Sequence, residues 1–311
     1  MNSLVSRVNP MSGSITRSTS LRKFGLVGRP SFAYQFGLTE DPAVEVVPTA
    51  AGVNQGDSRS STNRLSLDSG LSLFADLQTK IKYEYERGLS ETVSRPPIHN
   101  EKAIFPGISG QWSSAKKLPF LHRFAQSSSI RFGYEQGHSR RGEGGLTPTS
   151  LLGETRDRSF TPLFEWTTSW ERKIRTTVRM TRKHSDERDM RDGEPKGTTQ
   201  TTNNALSVSV DYSLSASSVR KLPLLGRLKS DVNLSLDLTR SLDRQEQALG
   251  SATPVLRRDD RLFSVKLDAD YKFSNKFTGG AKIEVTNRYN ALTETTRKIR
   301  EIGFWGEINF N

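Results

Sequence analysis

Histidine has the widest chemical repertoire of the residue types in this chain, because a neutral imidazole can bind a metal ion or carry a proton near pH 7. The four histidines are His99, His122, His138 and His184. No two of them stand at the short spacing of a zinc motif, and all fall in predicted loops or at the ends of predicted strands. We therefore expect them to be ordinary surface residues.

Two other segments contain residue types that can bind ions. Residues 186–193 supply several carboxylates, but Arg188 and Arg191 interleave with them. The spacing also lacks the pattern and the final Glu of a calcium loop, so it predicts a solvated loop. Gly279 and Gly280 fall within a predicted strand, where glycine is more typical of a bulge or of close packing than of a phosphate site.

The sequence contains no recognisable catalytic signature. It has no phosphate-binding loop, no Gly-x-Ser-x-Gly elbow and no dinucleotide fingerprint. Cysteine is absent, which excludes disulfides, iron–sulfur clusters and thiolate zinc sites. We therefore predict a non-enzymatic protein with no cofactor and with no catalytic, cofactor-binding or metal-binding residues.

Alternation of apolar and polar residues is the strongest pattern in the chain. In residues 206–214 and 263–273, and from Val232 onward in 230–238, every second residue is apolar and those between are small, polar or charged. Successive side chains of a strand point to opposite faces, so each run has one apolar and one wet face. No apolar-side position in these runs is charged, and a charge at the middle of a bilayer costs about 2–4 kcal/mol. The pattern predicts strands with lipid on one side and water on the other.

The whole chain predicts about twelve such strands. They lie near residues 31–38, 64–73, 77–87, 104–113, 127–137, 159–168, 172–184, 204–214, 229–241, 260–273, 277–288 and 299–310. A strand of about 14 residues, tilted by about 45°, rises roughly 30 Å, which is enough to span a membrane.

The predicted connections alternate in length. Short turns near residues 74–76, 169–171 and 274–276 alternate with long polar loops, as is typical of outer-membrane barrels. We predict an irregular N-terminal segment, 1–20, and a β-barrel segment, 21–311. Its long loops are predicted near 39–61, 88–103, 138–158, 185–203, 242–259 and 289–298. With these loops outside, the C-terminus lies on the periplasmic side.

The composition fits a barrel better than a soluble domain. Hydrophobic residues make up 33%, which is lean for a domain with a dry core but sufficient for a barrel with a wet lumen. The formal net charge is +12, yet Lys and Arg are scattered without a basic block, so we expect no nucleic-acid partner. There is no run of about 18 apolar residues, so no transmembrane helix is expected. No signal peptide is apparent in residues 1–30, and we expect the chain to belong to a longer, exported polypeptide.

Residues 117–124 and 221–228 form a weak internal repeat, and 22–29 is a looser copy. Each is a short apolar segment flanked by basic residues. Two interpretations stay open: a segment in the membrane interface with Lys and Arg towards headgroups, or an ordinary hairpin connection with a buried Leu.

Several segments resemble the C-terminal barrel region of the SprA/Sov family. The matching residues are Gly110-Gln111-Trp112 followed by 116–121 and 127–134, the segment 160–166, residues 227–240, and the final hairpin through Phe310. Gln111 and Phe132 depart from the residues common in that family, which are Asn and His.

The resemblance implies a part of the outer-membrane translocon of the type IX secretion system, which is also tied to gliding motility. It implies an antiparallel transmembrane β-barrel segment, open and incomplete, within a much larger barrel. The partners that it implies are outer-membrane lipid, secreted protein cargo, and plug and periplasmic subunits of the secretion system. The alternatives are a self-contained outer-membrane porin or adhesin, and a soluble basic β protein that binds polyanions.

Overall fold

The fold is a single large antiparallel sheet. The computed structural model describes residues 10–46, 57–74, 76–92, 95–144, 150–191, 194–214, 232–250, 252–273 and 276–308. The twelve strands of the sheet are β1 (Ser12–Arg22), β4 (Ser58–Phe74), β5 (Leu77–Thr92), β6 (Arg95–Trp112), β7 (Ala125–Glu143), β8 (Ser150–Trp170), β9 (Ile174–Arg191), β10 (Glu194–Leu214), β11 (Val232–Leu249), β12 (Val255–Lys272), β13 (Phe277–Asn290) and β14 (Thr295–Ile308).

Strands that follow one another in the chain are neighbours in the sheet, and every pair is antiparallel. The connection from β1 to β4 contains the two-residue strands β2 (Leu26–Val27) and β3 (Glu45–Val46) and the short helix α1 (Phe32–Gln35). Within the described residues the sheet is open, because β1 and β14 each have one neighbour. The predicted all-β, twelve-stranded, antiparallel and open architecture is confirmed.

The strands are much longer than those of most soluble proteins. β8 and β10 each have 21 residues, against a typical length of about 5–6. Among the described residues, only Ala115, Leu121 and Ala125 form a buried apolar core. No helix among these residues is both long enough and apolar enough to cross a membrane. Packing within a compact interior therefore does not account for the apolar residues of the sheet.

The register sorts the side chains onto two faces, because directly paired residues point to the same side. We call the side that carries Leu236 and Leu267 the apolar face, and the side that carries Ser235 and Asp268 the polar face. A bulge between Ile104 and Gly107 shifts the register of β6. Before this bulge in the chain the odd-numbered residues of β6 lie on the apolar face, and after it the even-numbered residues do.

Two predictions near the N-terminus are wrong. Residues 31–38 do not form a strand, because the Ser31 hydroxyl accepts a hydrogen bond from the Tyr34 amide at 3.3 Å and so caps α1. Residues 12–20 are not irregular but belong to β1. The large sheet thus has twelve described strands with a different first member, and the other eleven overlap their predicted positions.

The predicted long loops are also wrong, because strands run through most of these segments. Strand β5 ends at Thr92 and β6 begins at Arg95, and β9 ends at Arg191 and β10 begins at Glu194. The segments predicted as loops near 138–158, 242–259 and 289–298 are likewise largely strand, and the one near 39–61 contains β3 and the start of β4. Both faces of these extensions are polar, so they lack the alternation that identifies a strand. Within the residues that the structure describes, the predicted alternation of short turns with long loops is therefore not observed.

Candidate functional site

The apolar face carries an uncovered hydrophobic band. Large side chains on it are exposed to an extent that is unusual for a folded sheet; Leu206 is 42% exposed, Phe263 50% and Ile283 45%. Other exposed members of the same face are Ile15, Ile81, Phe105, Phe132, Phe164, Met180, Leu267, Val285, Ile302, Phe304 and Ile308. A contiguous apolar surface of this kind marks an interaction site rather than a solvated exterior.

Polar residues bound the band along one edge, which we call the upper border. Each strand of the sheet contributes one polar residue of the apolar face to this border. In sheet order these residues are Arg17, Asn63, Arg87, Glu101, Gln136, Arg158, Arg182, Asn204, Arg240, Arg261, Asn287 and Arg300. Below the border, the segments 206–214 and 263–271 are each nine residues long, and none of their side chains on the apolar face is charged. A strand needs roughly 9–11 residues to span a bilayer.

Aromatic residues stand at both edges of the band. Tyr85, Tyr134, Phe160 and Phe263 lie just below the upper border. Trp112, Trp170, Tyr212 and Tyr271 lie at the opposite edge. Aromatic girdles at both interfaces are typical of outer-membrane barrels.

Several hydroxyl groups within the band have a side-chain partner. The Ser128 and Thr168 side chains are buried and their oxygens lie 2.8 Å apart. The Trp166 indole donates to the Ser128 oxygen at 2.8 Å, and the Trp170 indole donates to Thr176 Oγ1 at 2.9 Å. Hydroxyls paired in this way cost little in an apolar environment.

The polar face carries side chains that bond to one another across strands. Ser207, Ser209, Asp211 and Ser213 occupy it on β10, as the alternation predicts. Ser235 Oγ donates to Asp211 Oδ1 at 2.9 Å, and Ser213 Oγ donates to Asn233 Oδ1 at 2.8 Å.

Ion pairs extend across the polar face at the level of the apolar band. Glu165 lies between Arg131 and Arg179, and each nitrogen–oxygen distance is 3.6 Å. Lys266 Nζ lies 2.7 Å from Asp268 Oδ2, and Lys282 Nζ lies 2.9 Å from Glu284 Oε2. The buried Glu84 carboxylate contacts both Arg64 and Lys82. Charges are thus concentrated on one side of the sheet at the level where the other side has none.

The polar face is indented between β6 and β11. A depression of about 620 Å³ is lined by residues of six neighbouring strands, β6 to β11, including Lys102, Glu135, Asp157, Lys183 and Asp243. Glycine permits close packing at one end of this face: the Trp305 indole occupies the space beside Gly280 that a Cβ would fill. The prediction of close packing at Gly279–Gly280 is therefore confirmed for Gly280.

Three of the four histidines lie within strands rather than in loops. His99 is buried in β6 beside Glu101, at 3.1 Å, rather than exposed. His138 lies 2.6 Å from Glu154, and His184 lies 3.2 Å from Asp186. Only His122 lies in an exposed turn. Each of the first three contacts a carboxylate across or along the sheet, and the described residues include no group of three metal-ligating side chains.

The segment 113–124, between β6 and β7, is anchored to the turn before β5. The Asp76 carboxylate accepts hydrogen bonds from the Ser114 hydroxyl and from Lys117 Nζ, the latter at 3.1 Å. These bonds hold the pKa of Asp76 below its ordinary value. Leu121 is buried, while Phe120 and Phe124 are exposed. The segment thus combines the buried Leu of a hairpin connection with exposed aromatics; its repeat at 221–228 lies outside the described residues.

The chain has no sequence match among family models or curated proteins, and its similarity to solved structures is weak. Among solved structures, the chain is similar to the translocator domain of the autotransporter NalP from Neisseria meningitidis, with a TM-score of 0.28 and 7% identity over 97% of this chain and 87% of that one.

Proposed function

We propose that this sheet is part of the wall of a protein-conducting channel in the outer membrane of a Gram-negative bacterium. The observation that carries the proposal is the separation of the two faces: an exposed, charge-free band lies on one side of the strands, and ion-paired, hydrogen-bonded side chains lie on the other. A lipid bilayer against the apolar face would remove that band from water. This removal stabilises the protein by about 25 cal/mol per Å² of apolar surface.

In this proposal the wall is passive. The band contacts lipid, the polar face lines an aqueous conduit, and partner proteins gate the opening and supply energy. The resemblance of the segments around Trp112, Pro162 and residues 227–240 supports the more specific proposal of a type IX secretion translocon, connected to gliding motility. Its partners would be outer-membrane lipid, secreted protein cargo, and plug and periplasmic subunits, with the C-terminus on the periplasmic side and no enzymatic activity.

The open sheet bears on the alternative of a self-contained porin or adhesin. Such a barrel requires β1 to pair with β14, and the described residues of these strands are not paired with each other. The alternative of a soluble polyanion-binding protein requires water to cover the apolar band. The many exposed Leu, Ile and Phe side chains of that face weigh against it.

Single cysteines test the proposal, because these 311 residues contain none and any cysteine elsewhere in the complete protein can be replaced by serine. Ser209 and Val208 are adjacent residues on opposite faces. In the complete protein in cells, we expect Ser209→Cys to react with a membrane-impermeant maleimide and Val208→Cys to be protected from it. A bulky adduct at Ser209→Cys should reduce secretion of cargo. Equal labelling at both positions would exclude lipid on the apolar face, and undiminished secretion with the bulky adduct would exclude a protein-conducting role for the polar face.

A further inference from the structure

A shallow depression interrupts the apolar face at its upper border. It measures about 520 Å³ and is lined by Tyr134, Arg158, Phe160, Arg182 and His184, from β7, β8 and β9. Arg158 pairs with His184 and Phe160 pairs with Arg182 in the β8–β9 register, so the two arginines are diagonal neighbours on one face. Such neighbours are about 7–8 Å apart, a separation that one anionic group between them can bridge.

The two arginines have no carboxylate partner within the part of the chain that the structure describes. The acidic residues closest in sequence on this face are already engaged. Asp186 lies 3.2 Å from His184, and Glu154 lies 2.6 Å from His138 and 3.1 Å from Arg156. Arg158 and Arg182 are both exposed. Two free guanidinium groups side by side repel each other, and their fork geometry suits a phosphate.

Aromatic and apolar side chains complete the depression on the side of the band. The Tyr134 and Phe160 rings pack with their centroids 4.7 Å apart. Directly below them, Phe164 and Met180 pair across β8 and β9 and are 38% and 40% exposed. The charged part of the depression therefore passes without interruption into the apolar band.

We propose that this depression binds the phosphate-bearing headgroup of a membrane lipid. Arg158 and Arg182 contact the phosphate, the Tyr134 and Phe160 rings pack against the adjoining sugar or glycerol, and the acyl chains lie along Phe164 and Met180. The inference rests on the proposed function, because it requires the apolar face to contact lipid. Continuity with the band favours a lipid over free phosphate, which needs no apolar surface.

The test compares two double variants of the complete protein. Arg158→Gln/Arg182→Gln removes the two cations of the depression. Lys102→Gln/Lys183→Gln removes the same charge from the opposite, polar face; Lys183 lies beside Arg182 in the chain. Each protein is reconstituted in vesicles of digalactosyldiacylglycerol, a lipid without phosphate, that contain either bisphosphorylated lipid A or its dephosphorylated form. Lipid retained after mild detergent extraction is quantified by mass spectrometry.

We expect the wild type and the lysine control to retain bisphosphorylated over dephosphorylated lipid A, and the arginine variant to lose about tenfold or more of this preference. Equal retention by all three proteins would overturn the inference. Displacement of the lipid by millimolar inorganic phosphate would also overturn it, because the site would then recognise the free anion. In both cases Val208→Cys would still be protected from the membrane-impermeant maleimide if the proposed function is correct. Failure of the lipid site and failure of the proposed function are therefore distinguishable.

Discussion

Leu236 of β11 and Leu267 of β12 lie directly opposite each other on the apolar face. The same row continues to Val210 on one side and to Ile283 and Ile302 on the other. Five neighbouring strands therefore place an aliphatic side chain at one level, yet Leu267 stays 39% exposed. Cross-strand pairing alone does not shield this row from water, so the row needs an apolar medium outside the sheet to cover it.

We expect Leu236→Lys to prevent assembly of the complete protein into the outer membrane. A lysine at the middle of the band would face lipid, at a cost of about 2–4 kcal/mol. Ser235→Lys is the matched control, because Ser235 is the adjacent residue on the polar face and its hydroxyl contacts the Asp211 carboxylate. Protease protection and heat-modifiable gel mobility measure assembly. Normal assembly of both variants would rule out lipid at Leu236.

We expect Glu165→Gln to make the conduit more selective for anions. Glu165 offsets part of the positive charge of Arg131 and Arg179 on the polar face, so its loss leaves two adjacent guanidinium groups without a nearby carboxylate. The reversal potential in planar bilayers under a salt gradient should shift accordingly. The free energy of unfolding should fall by about 1 kcal/mol or less, because these pairs are partly solvated.

Glu171→Gln is the control for this experiment, because Glu171 lies in the exposed turn after β8 and not on the strand face. It should leave the reversal potential unchanged. An equal shift in both variants would mean that long-range net charge, rather than the position of Glu165 on the conduit wall, sets the selectivity.

The sequence predicts the parts of the fold in which the two faces differ. The runs at 206–214 and 263–273 identify both the strands and the faces of their residues, because period-two alternation is a direct consequence of strand geometry. β1 was missed because its apolar side is weak: Ile15 is flanked by Gly13 and Arg17 on the same face. The strand extensions do not alternate for the same reason, since Glu154 and Arg156 lie with His138 on the side of the sheet that carries the apolar face further down.

The lipid-headgroup depression was outside the reach of sequence reasoning. Its members come from three strands, and the bulge between Phe160 and Phe164 brings Phe160 opposite Arg182. A bulge changes the pairing without changing the composition of a segment. Tyr134 and Phe160 each read as an ordinary β-forming aromatic, and only their 4.7 Å contact reveals a common site.

We expect Ser128→Ala to destabilise the protein by about 1–3 kcal/mol, because it leaves two polar side chains without their hydrogen-bond partner. The Trp166 indole N–H would lose its acceptor, and the fully buried Thr168 hydroxyl would lose its partner. Denaturant unfolding in detergent measures the change. Ser129→Ala is the control, because Ser129 lies next in sequence on the polar face.

A second variant separates the hydrogen bond from the loss of volume. Trp166→Phe removes the indole donor, and the double variant Trp166→Phe/Ser128→Ala should be less destabilised than the sum of the two single variants. Strict additivity would contradict a direct bond between Ser128 and Trp166 in the assembled protein.

We expect the attachment of segment 113–124 to be lost at acidic pH. Hydrogen bonds from Ser114 and Lys117 lower the pKa of Asp76, so the ionised carboxylate is favoured in the folded state. A depressed carboxyl pKa contributes stability that is fully present above the ordinary value of about 3.9 and is lost as the pH falls through the lower, folded value.

Asp76→Asn removes the charge and suits the left-handed backbone at this position, where φ is 71°. Hydrogen exchange of the Ser113 amide, which donates to the Asp76 carbonyl at 3.1 Å, should be faster in the variant than in the wild type at pH 7. The two rates should converge well below pH 4, whereas a difference that persists unchanged there would show that the Asp76 charge does not hold the segment.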